Sequence, residues 1–200
     1  MHRRLEALAL FALVTSAPLS AMAGPLVVDR IVAVVDTSPI LLSELRERAR
    51  PYKLQVRKTN PPEDKRAEAE AQVDKQVLER IVEERLIAIE AKRRRISVAE
   101  DEIGVALKNV AASRNVTVET VLAEAREAAL TETDYRDEIR RQLLDGKVLV
   151  AARREHPPAA PKEGAPHHEP TPEELTAGFE KSHTELLASL REHTFVEVRP

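Results

Sequence analysis

Residues Val73 to Arg95 read VDKQVLERIVEERLIAIEAKRRR, and the spacing of their apolar side chains decides how the rest of the chain must be arranged. Val73, Val77, Leu78, Ile81, Val82, Leu86, Ile87 and Ile89 recur every three or four positions with no Pro or Gly between them, so the stretch is predicted to be a helix with a wide apolar stripe. Asp74, Lys75, Glu79, Arg80, Glu83, Glu84 and Arg85 carry the other face, with opposite charges three or four residues apart, and that face is expected to meet water. At about 1.5 Å per residue the run is roughly 35 Å long. A stripe of that length cannot be buried by one helix on itself, so the neighbouring segments must cover it.

Composition agrees with a helical body. The chain has 200 residues, enough for one domain with a real core, with aromatic residues at 2% and five Gly. The fold class expected is mainly α. Basic and acidic residues number 31 and 34 and are interspersed, for a formal charge of -3, which offers no electrostatic footprint for nucleic acid. Cysteine is absent, which excludes disulfides and thiolate metal sites within this sequence. At the N-terminus His2, Arg3 and Arg4 precede an apolar run from Ala7 to Val14, then Pro18 and the small residues Ala21 and Ala23. This pattern is that of a signal peptide over residues 1–23, cut between Ala23 and Gly24. The rest of the chain is then expected outside the cytoplasm and, once cut, without stable membrane insertion.

Around the central helix the predicted order is as follows. Leu26 to Val35 is a β-branched run read as a strand, Asp36 to Pro39 as a turn, and Ile40 to Leu42 as a returning strand. Ser43 is placed as the cap of a short helix that Pro51 ends or kinks. Lys58 to Glu63 is a polar break, and the good helix formers from Asp64 to Ala71 start the central helix before Val73. Ser97 with Glu100 has the spacing of a capping box, Thr117 is placed as the next cap, and Thr131 to Asp134 repeats the logic for a longer helix. That helix buries Tyr135, Ile139, Leu143, Leu144, Val148 and Leu149, and its Gly146 marks either a close approach or a weak point. Residues 155–171 are proline-rich and read as a linker. Residues 172–200 follow as a helix through Leu175, Phe179, Leu186, Leu187 and Leu190 and a strand at 194–198, expected to complete the domain of residues 24–154 by pairing with the N-terminal hairpin.

Four stretches carry a resemblance to a known family: DRIVAVVDTSPILLSELRER from Asp29, VLERIVEERLIAIEAKRRRISVAEDEI from Val77, TETDYRDEIRRQLL from Thr131, and LLASLREHTFVEVRP from Leu186. Together they resemble the N-terminal domain of SurA-type periplasmic chaperones, over about residues 27 to 152 and again at the C-terminal helix and strand. The resemblance implies a periplasmic, ATP-independent holdase whose partners are unfolded outer-membrane or secreted polypeptides. The family commonly carries parvulin-type prolyl isomerase domains between these two ends, and here only the linker lies there, so the resemblance implies no isomerase scaffold and no enzyme. Relatives often have Gly where this chain has Glu127-Ala128-Ala129-Leu130. An Ala there either strains a left-handed cap or changes how the helix is left.

Residue chemistry points the same way. His167 and His168 with Glu163 and Glu169 resemble a ligand cluster, yet a proline-rich stretch supplies no second set of hydrogen bonds to hold imidazoles in place. The serines fall at turns and helix ends, Glu83–Glu84 and Glu173–Glu174 are expected on solvated faces, and Lys92 to Arg95 suits a helix C-terminus. No residue is assigned a catalytic, cofactor-binding or metal-binding role, and none is singled out as peptide-binding. Ile81, Leu86, Leu107, Val121 and Leu144 are expected in the core rather than on a client-facing surface. A prolyl isomerase, or an accessory to one, and a structural adaptor for one periplasmic partner are the alternative readings.

Overall fold

The computed structural model describes residues 29–59, 61–155, 157 and 171–199. Within them the chain forms β1 (Ile31–Val35), β2 (Ser38–Leu41), α1 (Leu42–Lys58), α2 (Glu63–Arg94), α3 (Glu100–Ser113), α4 (Val118–Glu127), α5 (Glu132–Glu155), α6 (Pro172–His193) and β3 (Val196–Val198). The class is the one expected: helices plus one small antiparallel sheet, in the order β2-β1-β3, which brings the two ends of the described chain together. The signal-peptide reading and the cut between Ala23 and Gly24 fall outside the described residues, as does most of the linker expected over 155–171. Among the described residues no helix is long and apolar enough to cross a membrane.

α2 is central because its stripe is wide enough to serve two layers. Val77, Ile81, Val82 and Leu86 pack with Val32, Ala33, Val35, Ile40, Leu45 and Ala49 of the sheet and α1. Ile87 and Ala91 turn the other way, onto Val148 of α5 and Leu187 of α6. A third cluster closes α3 and α4 over α5 through Ile103, Leu107, Leu122 and Ile139. Ile81, Leu86, Leu107 and Val121 are each at most 2% exposed, and Leu144 packs against the second cluster; all five belong to the interior as expected.

Several local expectations are corrected. The turn is the two residues Asp36 and Thr37, with Asp36 at φ 54, so Pro39 lies inside β2, opposite Val34. β2 is an edge strand, where a missing N–H is tolerated. Ser43 does not cap α1. The carboxylate of Asp29 does, accepting from the Ser43 backbone N–H at 3.2 Å and from its hydroxyl, so residues expected to extend the first strand instead secure the helix that follows the hairpin. Pro51 neither ends α1 nor shortens it; the helix runs 17 residues through it. An interior proline costs about 3 kcal/mol, and here α1 is pinned to α2 on both sides of Pro51. Arg85 reaches Glu44 at 2.9 Å and Arg48 reaches Glu84 at 2.7 Å before it; Lys53 reaches Asp74 at 2.6 Å and Arg57 reaches Glu70 at 2.8 Å after it. Partner numbers fall along α2 as they rise along α1, the mark of an antiparallel pair.

The cap at Ser97 is displaced too. α3 starts at Glu100, and Glu102 accepts the Ala99 N–H at 2.8 Å while also holding Lys147 of α5 at 2.7 Å. The tertiary contact to Lys147 selects Glu102 over Glu100. Thr117 does cap α4, and Thr131 and Asp134 do exchange reciprocal bonds at the start of α5. Gly146 is exposed and a Cβ built on it meets nothing within 4 Å, so it marks no close approach. Ala129 takes φ 63, the strained left-handed exit, with the Leu130 N–H returning to the Ala125 carbonyl at 2.9 Å.

Candidate functional site

The face of α2 expected to be solvated stays exposed at Lys75, Glu79 and Arg80, but α1 meets it at Asp74, Glu84 and Arg85 and α5 reaches it at Glu84. Neighbouring helix positions do point apart, but each of Glu83 and Glu84 finds a packed element. Glu84, 19% exposed, accepts both Arg48 guanidinium nitrogens, at 2.7 and 2.9 Å, and lies 3.4 Å from both Arg80 and Arg141. Glu138 of α5 takes Arg80 at 2.6 Å, Arg141 at 2.9 Å and the Gln142 amide at 3.0 Å. Burial pushes the Glu138 carboxyl up, but these hydrogen bonds and the Arg80 and Arg141 charges outweigh it and hold the group below its ordinary value. Three arginines and two glutamates thus form a bar across α1, α2 and α5.

A cleft opens on either side of this bar. One, of about 580 Å³, runs between α2, α5 and α6 and is lined by Glu79, Glu83, Asp145, Ile87 and His183. There Glu83 is raised from its ordinary value by burial and by the neighbouring Glu79, with Asp145 adding to it, while Arg191 and His183 oppose the shift. His183 sits 3.1 Å from Asp145. The other cleft, of about 640 Å³, lies between α1 and the start of α5 and presents Pro51, Tyr52, Ala128 and Leu130 beside charged side chains.

Chemically the bar is a fastener. Its guanidinium and carboxylate groups are committed to one another, so it provides a rigid floor between two clefts. Among the described residues no group of three or more His, Asp or Glu is disposed to hold a metal; His167 and His168 lie outside the described residues. Lys92 to Arg95 are divided among separate tasks. Arg93 and Arg94 hold Glu90, Arg94 also reaches Glu155 at 2.6 Å, and Arg95 leaves the helix at φ 59.

The surface carries a second feature that sequence reading passed over. The described residues hold four aromatic side chains, and three of them are solvent-facing: Tyr52 is 48%, Phe179 46% and Phe195 61% exposed. Tyr52 borders the second cleft, Phe179 stacks under the Arg153 guanidinium at 4.6 Å, and Phe195 leads into β3. These rings therefore add large amphipathic surface outside the core. By helical spacing Tyr52 shares the stripe of the buried Leu45 and Ala49, so the sequence alone carried no signal that its ring is exposed.

Comparison with known proteins places this geometry. The SurA N-terminal domain model matches residues 28–149. The chain is 33% identical over 132 residues to a Chaperone SurA of Cupriavidus pinatubonensis, covering 62% of this chain and 26% of that protein. It is 32% identical over 149 residues to Chaperone SurA of Alcanivorax borkumensis, covering 74% and 33%, and 27% identical over 131 residues to that of Pectobacterium atrosepticum, covering 64% and 29%. The aligned stretch spans about a third or less of the length of these relatives.

Proposed function

We propose a function from one premise: the chain belongs to the SurA N-terminal domain family. On that premise it is a chaperone, and more specifically an ATP-independent holdase of the periplasm, delivered there by the segment 1–23 and released between Ala23 and Gly24. Its partners are unfolded outer-membrane or secreted polypeptides. The observation that carries the reading is the placement of Tyr52, Phe179 and Phe195 on the surface, outside the three clusters that make up the core. Large amphipathic rings contribute apolar contact at low entropic cost. Chains in transit expose apolar side chains and unpaired strand edges, and transient cover of these suppresses association without nucleotide or bond chemistry. The charged cleft beside Tyr52 favours broad, weak contact over selection for one sequence.

The test is aggregation of an unfolded outer-membrane β-barrel protein diluted from urea, without nucleotide. The mature chain at several-fold excess slows light scattering, and the double variant Tyr52→Ser with Phe179→Ser slows it less while keeping the wild-type melting curve. An unchanged aggregation rate with the wild-type chain would remove the proposal.

A further inference from the structure

The three-stranded sheet has two edges, and they are not equivalent. In an antiparallel ladder each residue turns its N–H and C=O to one side only. Along β3 the Asp36 N–H donates to the Phe195 carbonyl at 2.7 Å and the Arg199 N–H donates to the Val32 carbonyl at 2.8 Å, with Glu197 opposite Val34. Phe195, Glu197 and Arg199 therefore face β1, and the backbone groups of Val196 and Val198 face away from it. Val34 is committed to β3, so Pro39, its partner on the other side, turns its backbone outward. Proline has no N–H there, which blunts the β2 edge. Among the described residues no strand pairs with the outer edge of β3, and its two outward residues carry no comparable device.

Side chains flanking this edge are arranged to be covered. Val196 packs against the first core cluster, so Val198, two residues on, shares its face of the sheet while remaining 55% exposed. On the other face Phe195 is 61% exposed and Glu197 pairs with Arg199 at 3.2 Å. We propose that the outer edge of β3 takes up an extended segment of a client polypeptide as a fourth strand, bonded through the backbone of Val196 and Val198. The inference rests on the chaperone reading and gives it a site. The occupant is an extended strand with an apolar residue against Val198 and a neutral or basic residue against Glu197. A second copy of this chain fits less well. The two-fold register that uses the outward groups of both valines on both chains is centred on Glu197, and it sets Glu197 directly against its own copy at the close, non-bonded spacing, where like charges repel.

The experiment uses the mature chain and a short synthetic peptide of alternating Val and Thr with one central Lys, compared with the same peptide N-methylated at alternate amides. Amide exchange followed by NMR is expected to slow at least ten-fold at Val196 and Val198 when the unmethylated peptide binds. The methylated peptide is expected to bind at least ten-fold more weakly, and so is the unmethylated peptide to the variant Val198→Pro, which removes an outward N–H and leaves the bonds to β1 in place. Peptide bound with both amides still exchanging at the free rate overturns the proposal, as does equal affinity for the methylated peptide. Protection of the two amides that grows with protein concentration alone assigns the edge to a second copy and also overturns it. If Val198→Pro does not fold, the methylated peptide on the wild-type chain decides. A chain that suppresses aggregation but fails these tests loses only the strand site; a chain that fails to suppress aggregation loses the chaperone reading itself.

Discussion

Replacing Glu90 by Gln tests how the C-terminal turn of α2 is fixed to α5. Glu90 is a charged residue of the core, 5% exposed. It accepts two bonds from Arg93, at 2.6 and 2.7 Å, and one from Arg94, whose other nitrogen reaches Glu155 at the end of α5 at 2.6 Å. The hydrogen bond from Arg93, working against burial and joined by Arg94, holds the Glu90 carboxyl at about 2 instead of 4.5. At about 1.4 kcal/mol for each tenfold change in proton affinity, the ionised group contributes about 3 kcal/mol to stability. Because the folded value is depressed, that contribution is fully present above pH 4.5 and is lost as pH falls toward 2. By pH 3 about 2 kcal/mol of it is gone. Glu90→Gln keeps the volume and removes the charge, so it is expected to cost about 3 kcal/mol near pH 7 but only about 1 kcal/mol near pH 3. Urea unfolding followed by helical circular dichroism suits a chain with no Trp. Other carboxylates titrate in both proteins, and their contribution cancels in the difference. A penalty below about 1 kcal/mol at neutral pH, or the same penalty at both pH values, would refute the reasoning.

Four further substitutions follow from the corrected local structure. Ala129→Gly relieves the left-handed exit of α4 at φ 63; the relief exceeds the added freedom of the unfolded chain, and thermal melting should register a gain of about 0.5–1 kcal/mol. Gly146→Ala places a methyl in open space in the middle of α5, and denaturant unfolding should show about 1 kcal/mol of added stability. Asp29→Ala removes the carboxylate that caps α1 from outside the helix and should lower the melting midpoint, whereas Ser97→Ala, at a position whose side chain caps nothing in α3, should leave it unchanged. The Asp29 carboxyl is held below its ordinary value first by the Ser43 hydroxyl, so the Asp29→Ala penalty is expected above the ordinary Asp range and should fade as pH drops through the folded value.

Periodicity in the sequence determined the number and order of the elements and which faces are apolar. The three-and-four spacing of α2 is a local property of the chain, and so are the reciprocal bonds of Thr131 with Asp134 and the bond the Thr117 hydroxyl accepts from the Thr120 N–H at the start of α4. The run of β-branched residues and the terminal pentapeptide were enough to place the strands and to unite them in one sheet. Tertiary structure decided whatever depended on a distant partner. Asp29 rather than Ser43 caps α1 because a carboxylate arriving across the hairpin competes with the local hydroxyl. Pro51 is carried inside a helix because four ion pairs to α2 hold both sides of it. Glu84 and Glu138 leave the solvent because α1 and α5 converge on a face of α2 that, read alone, is an ordinary charged surface. Local spacing encodes what a segment prefers for itself, since the residues involved are neighbours in every conformation; ion pairs and caps between segments exist only once the core has brought those segments within reach.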